Sequence, residues 1–485
     1  MLVGLLLFTY LVAGASSTYD PDMFHALALG REIATRGEVP VLDSFAYTPT
    51  RVPTIHHEWL LGLFLYHVVT WGGASALLVV KHAVHALTLG LVLLLARRLG
   101  ASPVALGFLG PMGVGMSLIG MTTLRAQAVS LGFVAAALWC FELDRCGSRR
   151  WIVPALLLYV VWLNCHGGFV VGPLLLVLHA IEQWVRGRPI GHLVALMPVL
   201  AALVIVSPYG TAYPAYLWEA LRMDRSLIGE WRTLGDPQAL ALPIWGLSLL
   251  VFTYGWLPDG PWQRPGWLLV TASALMAYRH QRHLSIYAVV WLAHVPAMIE
   301  HGRLGRTFRR VWFARPLLTH GFLVLGICAA GLHATVERRW ELVLPSRSDG
   351  ANHAVYPIGV VDYVRRHAIS GRMVTPFELG AFVSWKLHPA IRVSLDGRYE
   401  AAYEPALLVE HVAFYGGRPA GQQFLETYPS DFVLAKRTDS IVSQLRSAQR
   451  WHVVYEDDAF MLFAGAERTL PYEDRRGERL TGTFP

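Results

Sequence analysis

Long apolar runs alternate with short polar ones over the first 335 residues, and that alternation sets the architecture before any single residue does. A bilayer core takes about 20 apolar residues as helix, fewer where charged ends reach outward. Eleven segments fit: residues 1–16, 74–96, 102–121, 127–143, 151–165, 168–185, 191–207, 239–257, 266–278, 284–300 and 316–334. Residues 59–71 are apolar but shorter, which predicts an interfacial or re-entrant piece. Beyond residue 345 the apolar runs shrink to strand length and turn formers return. That region predicts a helix over 358–368 and strands at Met373–Thr375, Ala381–Leu387 and Ile391–Leu395. Helices near 405–414 and 419–428, a strand at Phe432–Ala435 and a helix near 438–448 follow, and a hairpin pairs His452–Glu456 with Phe460–Phe463 around Asp457-Asp458. The fold class is an all-α polytopic membrane domain of about 11 transmembrane helices over 1–335, with a first outer loop at 17–58, then a small α/β domain over 345–485.

Composition agrees with this reading. Apolar residues make up 54% of the chain and charged ones 15%, and the mean hydropathy is +0.41, which excludes an ordinary water-soluble enzyme. The 41 basic residues against 34 acidic give +7. In a membrane protein such an excess marks cytoplasmic loops and their anionic lipid neighbours, so no nucleic-acid partner is expected. Cys140, Cys146, Cys165 and Cys328 form no CxxC pair, which points to neither a disulfide framework nor a zinc site. Met1–Ala15 lacks the basic start of a secretory signal and is read as a first helix.

The arginines orient the chain. Arg97 and Arg98; Arg145, Arg149 and Arg150; Arg186 and Arg188; Arg264; and Arg303, Arg306, Arg309 and Arg310 fall at alternate loops, which the positive-inside rule makes cytoplasmic. The acidic loop 17–58 and everything after residue 334 are then extracytoplasmic. So are Thr123–Gln127, Trp162–Gly168, Ser207–Gly210 and Arg279–His283, whereas the inner loops are short and simply basic. A polar group at membrane level costs about 2.5–3.5 kcal/mol for Arg or Asp even on a lenient scale. Crowding such groups on one side predicts a shared polar cavity there.

The acidic loop opens with Tyr19-Asp20-Pro21-Asp22, carries Asp43, and closes with His56-His57-Glu58-Trp59. Asp is a favoured helix N-cap, Pro suits the first helical position, and a second acid there complements the helix dipole. Met23, Phe24, Leu27 and Ala28 then fit an amphipathic helix lying along the membrane surface. Capping uses one carboxylate. The other is a candidate general base, or a ligand for a divalent cation such as Mg or Mn. Asp20 is the better cap, which makes Asp22 the preferred base. His56, His57 and Glu58 point different ways on any regular backbone and match no metalloprotease spacing, so hydrogen bonding to a substrate or to the acid pair suits them better than zinc; Glu58 is the third catalytic candidate.

Basic groups gather on the same side. Arg279, His280, Arg282 and His283 form a dense cationic turn, and Arg binds phosphate bidentately. A snorkelling interface anchor is the alternative. Arg125 with Gln127, and Asn164 with His166, stand at other outer span ends, and Gly167 and Gly168 would let backbone N–H groups approach a ligand. Lys81, His82 and His85 fall within the second span, either as buried polar contacts or as pathway residues. In the second domain Asp396 and Arg398 follow a strand, where α/β folds place ligand contacts, although Asp-Gly turn chemistry explains the same residues.

Taken together these features resemble the GT-C superfamily of membrane glycosyltransferases, above all bacterial members with an Asp-Pro-Asp opening, a Trp-x-Asn-x-His-Gly-Gly turn and an Asp-Gly-Arg element in the terminal domain. Here those are Asp20–Asp22, Trp162–Gly168 and Asp396–Arg398. No Trp-Trp-Asp-Tyr-Gly motif of the oligosaccharyltransferases is present, which leaves acceptor and metal dependence open. The resemblance implies a sugar donor carried on polyprenyl phosphate, with Asp22 or Asp20 as the first-loop acid. The expected activity is glycosyl transfer at the outer face of the plasma (inner) membrane to a glycan, lipid or protein acceptor. The phosphate would meet Arg279, Arg282 and Arg125, and Asp22 would deprotonate the acceptor, with inversion. A transporter or flippase of a lipid-linked or anionic solute is the alternative; it predicts polar residues at both faces and internal repeats.

Overall fold

The computed structural model describes residues 1–15, 20–223, 229–256, 264–342, 344, 355–398, 401–421, 423–478, 480, 482 and 484. Tyr19 and the start of the predicted second domain at 345–354 lie outside the described residues. Helices stand at all eleven predicted span positions. In chain order the helices of the first two-thirds are α1 (Leu2–Gly14), α2 (Pro21–Arg36), α3 (Trp59–Arg98), α4 (Pro103–Met121), α5 (Ala126–Arg145), α6 (Ile152–Cys165), α7 (Val171–Val185), α8 (Gly191–Leu203), α9 (Ala212–Ala220), α10 (Leu242–Trp256), α11 (Trp267–Arg279), α12 (Leu284–Ile299), α13 (Arg303–Ala314) and α14 (Pro316–Val336).

Among the described residues five helices are long and apolar enough to cross a membrane: α3, α4, α5, α14 and Gly167–Val185, the last being α7 with its leading turn. The bent pair of α12 (with its leading turn) and α13, turned by 85°, makes a sixth if it is one span. α1, α6, α8 and most of α10 are apolar but shorter, so the predicted eleven spans are present as helices without all having spanning length. The chain is a multi-pass membrane protein. Residues 59–71, predicted as an interfacial or re-entrant piece, are helical and are set off from the following span by a kink. The break is Gly73 (φ 59°, ψ −149°), a conformation that a β-carbon would strain.

Contacts divide the chain differently from the expected boundary. One unit comprises Met1–Ser17, Leu78–Ser207 and Asp224–Glu341; the other comprises Thr18–Leu77, Pro208–Met223 and Leu342–Pro485. The first loop therefore belongs with the C-terminal domain rather than with the membrane helices. In the first unit α12 is buried at every position from Leu284 to Pro296, and it packs against α4, α11 and α10, while α1 lies on α14 and α4. The arginine loops are not simply basic. Acids at helix ends answer them: Arg98 meets Glu142 at 3.3 Å, Arg149 meets Asp144 at 2.6 Å, Arg186 meets Glu182 at 3.1 Å, and Arg309 pairs with Glu300.

The second unit is built on a six-stranded sheet in the order β2-β1-β3-β5-β4-β6. Its elements are α15 (Ile358–Arg366), β1 (Gly371–Val374), α16 (Gly380–Leu387), β2 (Ile391–Val393), α17 (Pro405–Tyr415), α18 (Phe424–Thr427), β3 (Phe432–Lys436), α19 (Ile441–Ser447), β4 (Trp451–Glu456), β5 (Phe460–Gly465) and β6 (Glu473–Asp474). β1 runs parallel to β2 and β3, and the β4–β5 hairpin closes antiparallel on β3. Two predictions fail here. Residues 381–387 form α16 and not a strand, because Phe382, Val383, Trp385 and Leu387 are all buried and a short apolar run buried all round carries no period. The predicted helix at 419–428 is a 3-10 turn at Pro419–Gly421 and a single α-turn, α18.

The amphipathic face of α2 is covered by protein within this unit. Met23, Phe24, Leu27 and Ala28 are buried, and Phe24 stands edge-on to Phe382 at 5.0 Å and to Tyr356 at 5.3 Å, so the membrane-surface reading of this helix is corrected. α2 crosses the start of α3 at two glycines. A Cβ on Gly30 would lie 2.2 Å from the Gly62 carbonyl oxygen, so both must be glycine for the backbones to touch. The chain after α2 then joins the sheet: Ala46 bridges Val393 in parallel, Val393 N–H donates to the Phe45 carbonyl and Tyr47 N–H to the Val393 carbonyl, both at 3.0 Å.

Candidate active site

The two acids that open the loop differ in burial and contacts. Asp20 is the N-cap of α2: its Oδ1 accepts the Asp22 N–H at 3.1 Å, Pro21 follows at the first helical position, and the side chain is 7% exposed. Asp22, in the first turn, is exposed. A Cβ added to Gly397 would lie 2.9 Å from Asp22 Oδ1, so the Asp-Gly-Arg element sits directly against this carboxylate. The hydroxyl of the buried Tyr356 lies close to both acids; burial first, then Asp20 and Asp22, push it up. Sequence reasoning missed Tyr356, which follows no motif.

Beneath that carboxylate is a buried ion cluster. Arg398 Nε donates to both oxygens of Asp396, at 2.7 and 3.0 Å, and Nη2 donates to Asp396 Oδ2 at 2.7 Å. Nη1 donates to Asp43 Oδ1, and Nη2 also donates to the Tyr403 hydroxyl at 3.1 Å. Asp43 Oδ2 accepts the Ala46 N–H at 2.7 Å, holding the turn that feeds the Ala46 bridge. The Arg398 side chain is 5% exposed and those of Asp43 and Asp396 are 0%. Burial pushes the Asp43 carboxyl up, Arg398 outweighs it, and the net is below the ordinary value. Burial likewise opposes the Arg398 charge and the two aspartates outweigh it. Asp396 and Arg398, expected as ligand contacts, thus have almost no surface through which to touch a ligand. Their geometry positions the loop.

Two histidines stack beside this cluster, His25 on His56 with ring centres 5.8 Å apart. Burial, then Arg398, lowers His56 to about 3; the same causes in the same order lower His25 well below its ordinary value. Both are neutral at physiological pH. His56 N–H donates to the Tyr209 hydroxyl at 3.0 Å. His57 Nδ1 is 3.3 Å from the Tyr216 hydroxyl, and its Nε2 is 3.6 Å from Glu58 Oε1. Glu58 therefore has a partner at its own loop end.

The expected phosphate residues lie in the other unit, where Arg125 and Arg282 come together on an acid that sequence reasoning missed. Arg125 Nη1 meets Glu230 Oε2 at 3.1 Å, and Arg282 Nη1 is 3.8 Å from Glu230 Oε1. The Arg282 guanidinium lies 4.5 Å over the Trp231 ring, and its carbonyl accepts Gln127 Nε2 at 2.8 Å. Arg279 is exposed, and His283 Nδ1 is 3.4 Å from the Met276 carbonyl. Asn164 is structural in its contacts, its Nδ2 donating to the Val160 and Val206 carbonyls at 2.9 and 3.0 Å. At His166 the ring Nδ1 accepts from Gly168 N–H at 3.2 Å and pairs with Ser130 Oγ at 2.7 Å. Trp162 Nε1 donates to that hydroxyl. An accepting Nδ1 leaves the proton of the neutral ring on Nε2.

No family model matches the sequence, and no curated protein matches it. Solved structures do. The apo oligosaccharyltransferase of Archaeoglobus fulgidus aligns over 97% of this chain and 75% of its own at 10% identity, with a TM-score of 0.54. ArnT from Cupriavidus metallidurans in the apo state aligns over 96% of this chain and 97% of its own at 13% identity, with a TM-score of 0.53. The chain has the GT-C fold. At these identities the likeness is one of fold alone, and the chemistry rests on the chain's own side chains. The described residues include no group of three or more His, Cys, Asp or Glu side chains able to hold a metal ion. Asp20 has one oxygen committed to the cap, so the Asp20–Asp22 pair does not by itself make a protein-only metal site.

Proposed function

We propose that this GT-C protein is a membrane glycosyltransferase that moves a sugar from a polyprenyl-phosphate donor to an acceptor at the outer face of the plasma membrane. The reading rests on one observation above all: the Asp22 carboxylate is exposed and stands against Gly397 on the Asp396–Arg398 turn. Asp22 takes the proton of the acceptor hydroxyl or amine as that group attacks the anomeric carbon. The bond from that carbon to the phosphate oxygen breaks, the electron pair leaves with polyprenyl phosphate, and the anomeric configuration inverts. General-base help of this kind is worth about 10²–10⁴ in rate. In its own unit, the Arg125–Arg282 pair is suited to a phosphate, which would compete with Glu230 for the two guanidinium groups. Glu58 and His57 are assigned to holding the acceptor.

The test is transfer from radiolabelled polyprenyl-phosphate sugars by the purified chain. Asp22→Asn is expected to lose at least 10² in rate with folding intact. Asp20→Asn keeps a cap of equal quality and loses less than tenfold. Gly397→Ala, whose methyl would crowd the Asp22 carboxylate, falls between them. Full activity in Asp22→Asn removes the proposed base, and flux of a lipid-linked solute without donor consumption would replace the enzyme with a transporter.

A further inference from the structure

The arginines that follow α12 take no part in the proposed reaction. α13 carries Arg303, Arg306, Arg309 and Arg310 in 12 residues, with no acid among them. Arg309 pairs with Glu300, and Arg306 Nη1 donates to the His301 carbonyl at 2.9 Å. Arg303, Arg306 and Arg310 are exposed, and among the described residues none of the three meets a carboxylate. They stand three and four positions apart, which makes them neighbours in one row along the helix. Like charges at that spacing disfavour a helix unless an anion stands opposite. Another side of α13 is fixed to protein. Phe308 stacks on Phe108 of α4 with ring centres 4.5 Å apart, and Trp312 stands edge-on to the same ring at 5.9 Å. Val311 and Phe313 are left uncovered, 56% and 64% exposed.

Connectivity decides what such a helix can face. α13 is turned by 85° from the apolar, fully packed α12. A single residue, Arg315, then joins it to α14, which has the length and composition of a span. The helix is therefore tied at both ends to membrane helices. Four arginines are too costly for the hydrocarbon core, so α13 lies at the membrane surface. A helix there with a basic row and uncovered large apolar side chains has the form that takes up anionic lipid. A free anion or an acidic peptide would answer the arginines and leave Val311 and Phe313 in water. A glycerophospholipid answers both, since its phosphate oxygens accept from guanidinium groups and its acyl chains cover apolar side chains. We propose that α13 is a docking surface for anionic glycerophospholipids, with Arg303, Arg306 and Arg310 on the headgroup phosphates and Val311 and Phe313 against the acyl chains. The surface is separate from the groups assigned to sugar transfer and acts whether or not that transfer takes place.

Hydrogen exchange of the full chain tests it, read by mass spectrometry in nanodiscs of phosphatidylcholine and in nanodiscs of phosphatidylcholine and phosphatidylglycerol in equal parts. Each arginine beside an anionic surface contributes about fivefold, so the row of three supplies about 10². Exchange over residues 303–314 is expected to slow at least tenfold in the mixed discs. The protection should disappear as salt rises from about 0.1 M to about 1 M, which shortens the screening length from about 10 Å to about 3 Å. The triple variant Arg303→Gln, Arg306→Gln, Arg310→Gln should lose the protection, and the corresponding triple change to Lys should keep most of it. Wild-type exchange over 303–314 within threefold in the two kinds of disc overturns the docking surface, and that comparison needs no variant to fold. Protection that survives in the triple Gln variant removes the arginine row from it. Equal protection in phosphatidylcholine discs on addition of inorganic phosphate overturns the lipid and identifies a free anion instead.

Discussion

Removing the Arg398 side chain is the most direct way to ask whether the first loop is held by the ion cluster. Arg398→Met conserves much of the volume and deletes the three bonds to Asp396, the bond to Asp43 and the bond to Tyr403. Two carboxylates with 0% side-chain exposure are then left together without a counter-charge. Breaking a buried pair by taking away one partner costs about 3–5 kcal/mol, mostly for the stranded charge. The local consequence is specific, because Asp43 holds Ala46 N–H and the neighbouring residues Phe45 and Tyr47 bond Val393. At ~1.4 kcal/mol per factor of ten, amide exchange across residues 43–56 should accelerate about 10²-fold or more. Mass spectrometry of exchange in the full chain reads this directly. The triple variant Asp43→Asn, Asp396→Asn, Arg398→Met strands no charge and should recover most of the protection. Exchange over 43–56 within threefold of wild type in Arg398→Met would refute the claim that this cluster docks the loop.

The same unit should lose stability on acidification. His56 is held near 3 when folded and titrates near 6.5 when unfolded, so the unfolded chain binds more protons between those values. Its contribution is complete above about pH 6.5 and falls by about 1.4 kcal/mol per unit as pH drops towards 3. His25, lowered by burial, adds in the same sense, as does Asp43 below about pH 4. Denaturation of wild type at pH 7.5 and 5.5 should differ by at least about 1 kcal/mol, and a flat profile would contradict the buried neutral pair. In the other unit, Glu230→Gln removes the acid shared by Arg125 and Arg282. Farnesyl phosphate should then bind about three- to tenfold more tightly, the scale of a partly exposed charge pair; weaker binding would show that Glu230 supports the ligand.

What could be read from the sequence follows the range of the interactions involved. Helix positions were legible because each apolar run is local, and so was the β4–β5 hairpin, whose pairing closes over a few residues. The capping role of Asp20 was legible for the same reason, since a cap is made within three residues. By contrast, Asp43 and Arg398 lie 355 positions apart, and no periodicity reports a pairing at that distance. The docking of Ala46 on Val393 was hidden in the same way, and with it the fact that the first loop belongs to the C-terminal unit. Glu230 carried no signal because it is one of several acids, with Glu219, Asp224 and Asp236, in the same connecting stretch.

The two ambiguous motifs resolve together. Asp20-Pro21-Asp22 had capping as its bland explanation and Asp396-Gly397-Arg398 had turn chemistry, and each of those explanations is correct for part of its motif. Asp20 caps α2, and Asp396 holds Arg398, which in turn holds Asp43. Once those groups are assigned to structure, Asp22 is the exposed member of the set, and Gly397 is the residue whose missing side chain gives that carboxylate its place. The local rules thus account for the fold of both motifs, and the same turn places Gly397 against the exposed Asp22 carboxylate on which the proposed proton transfer depends.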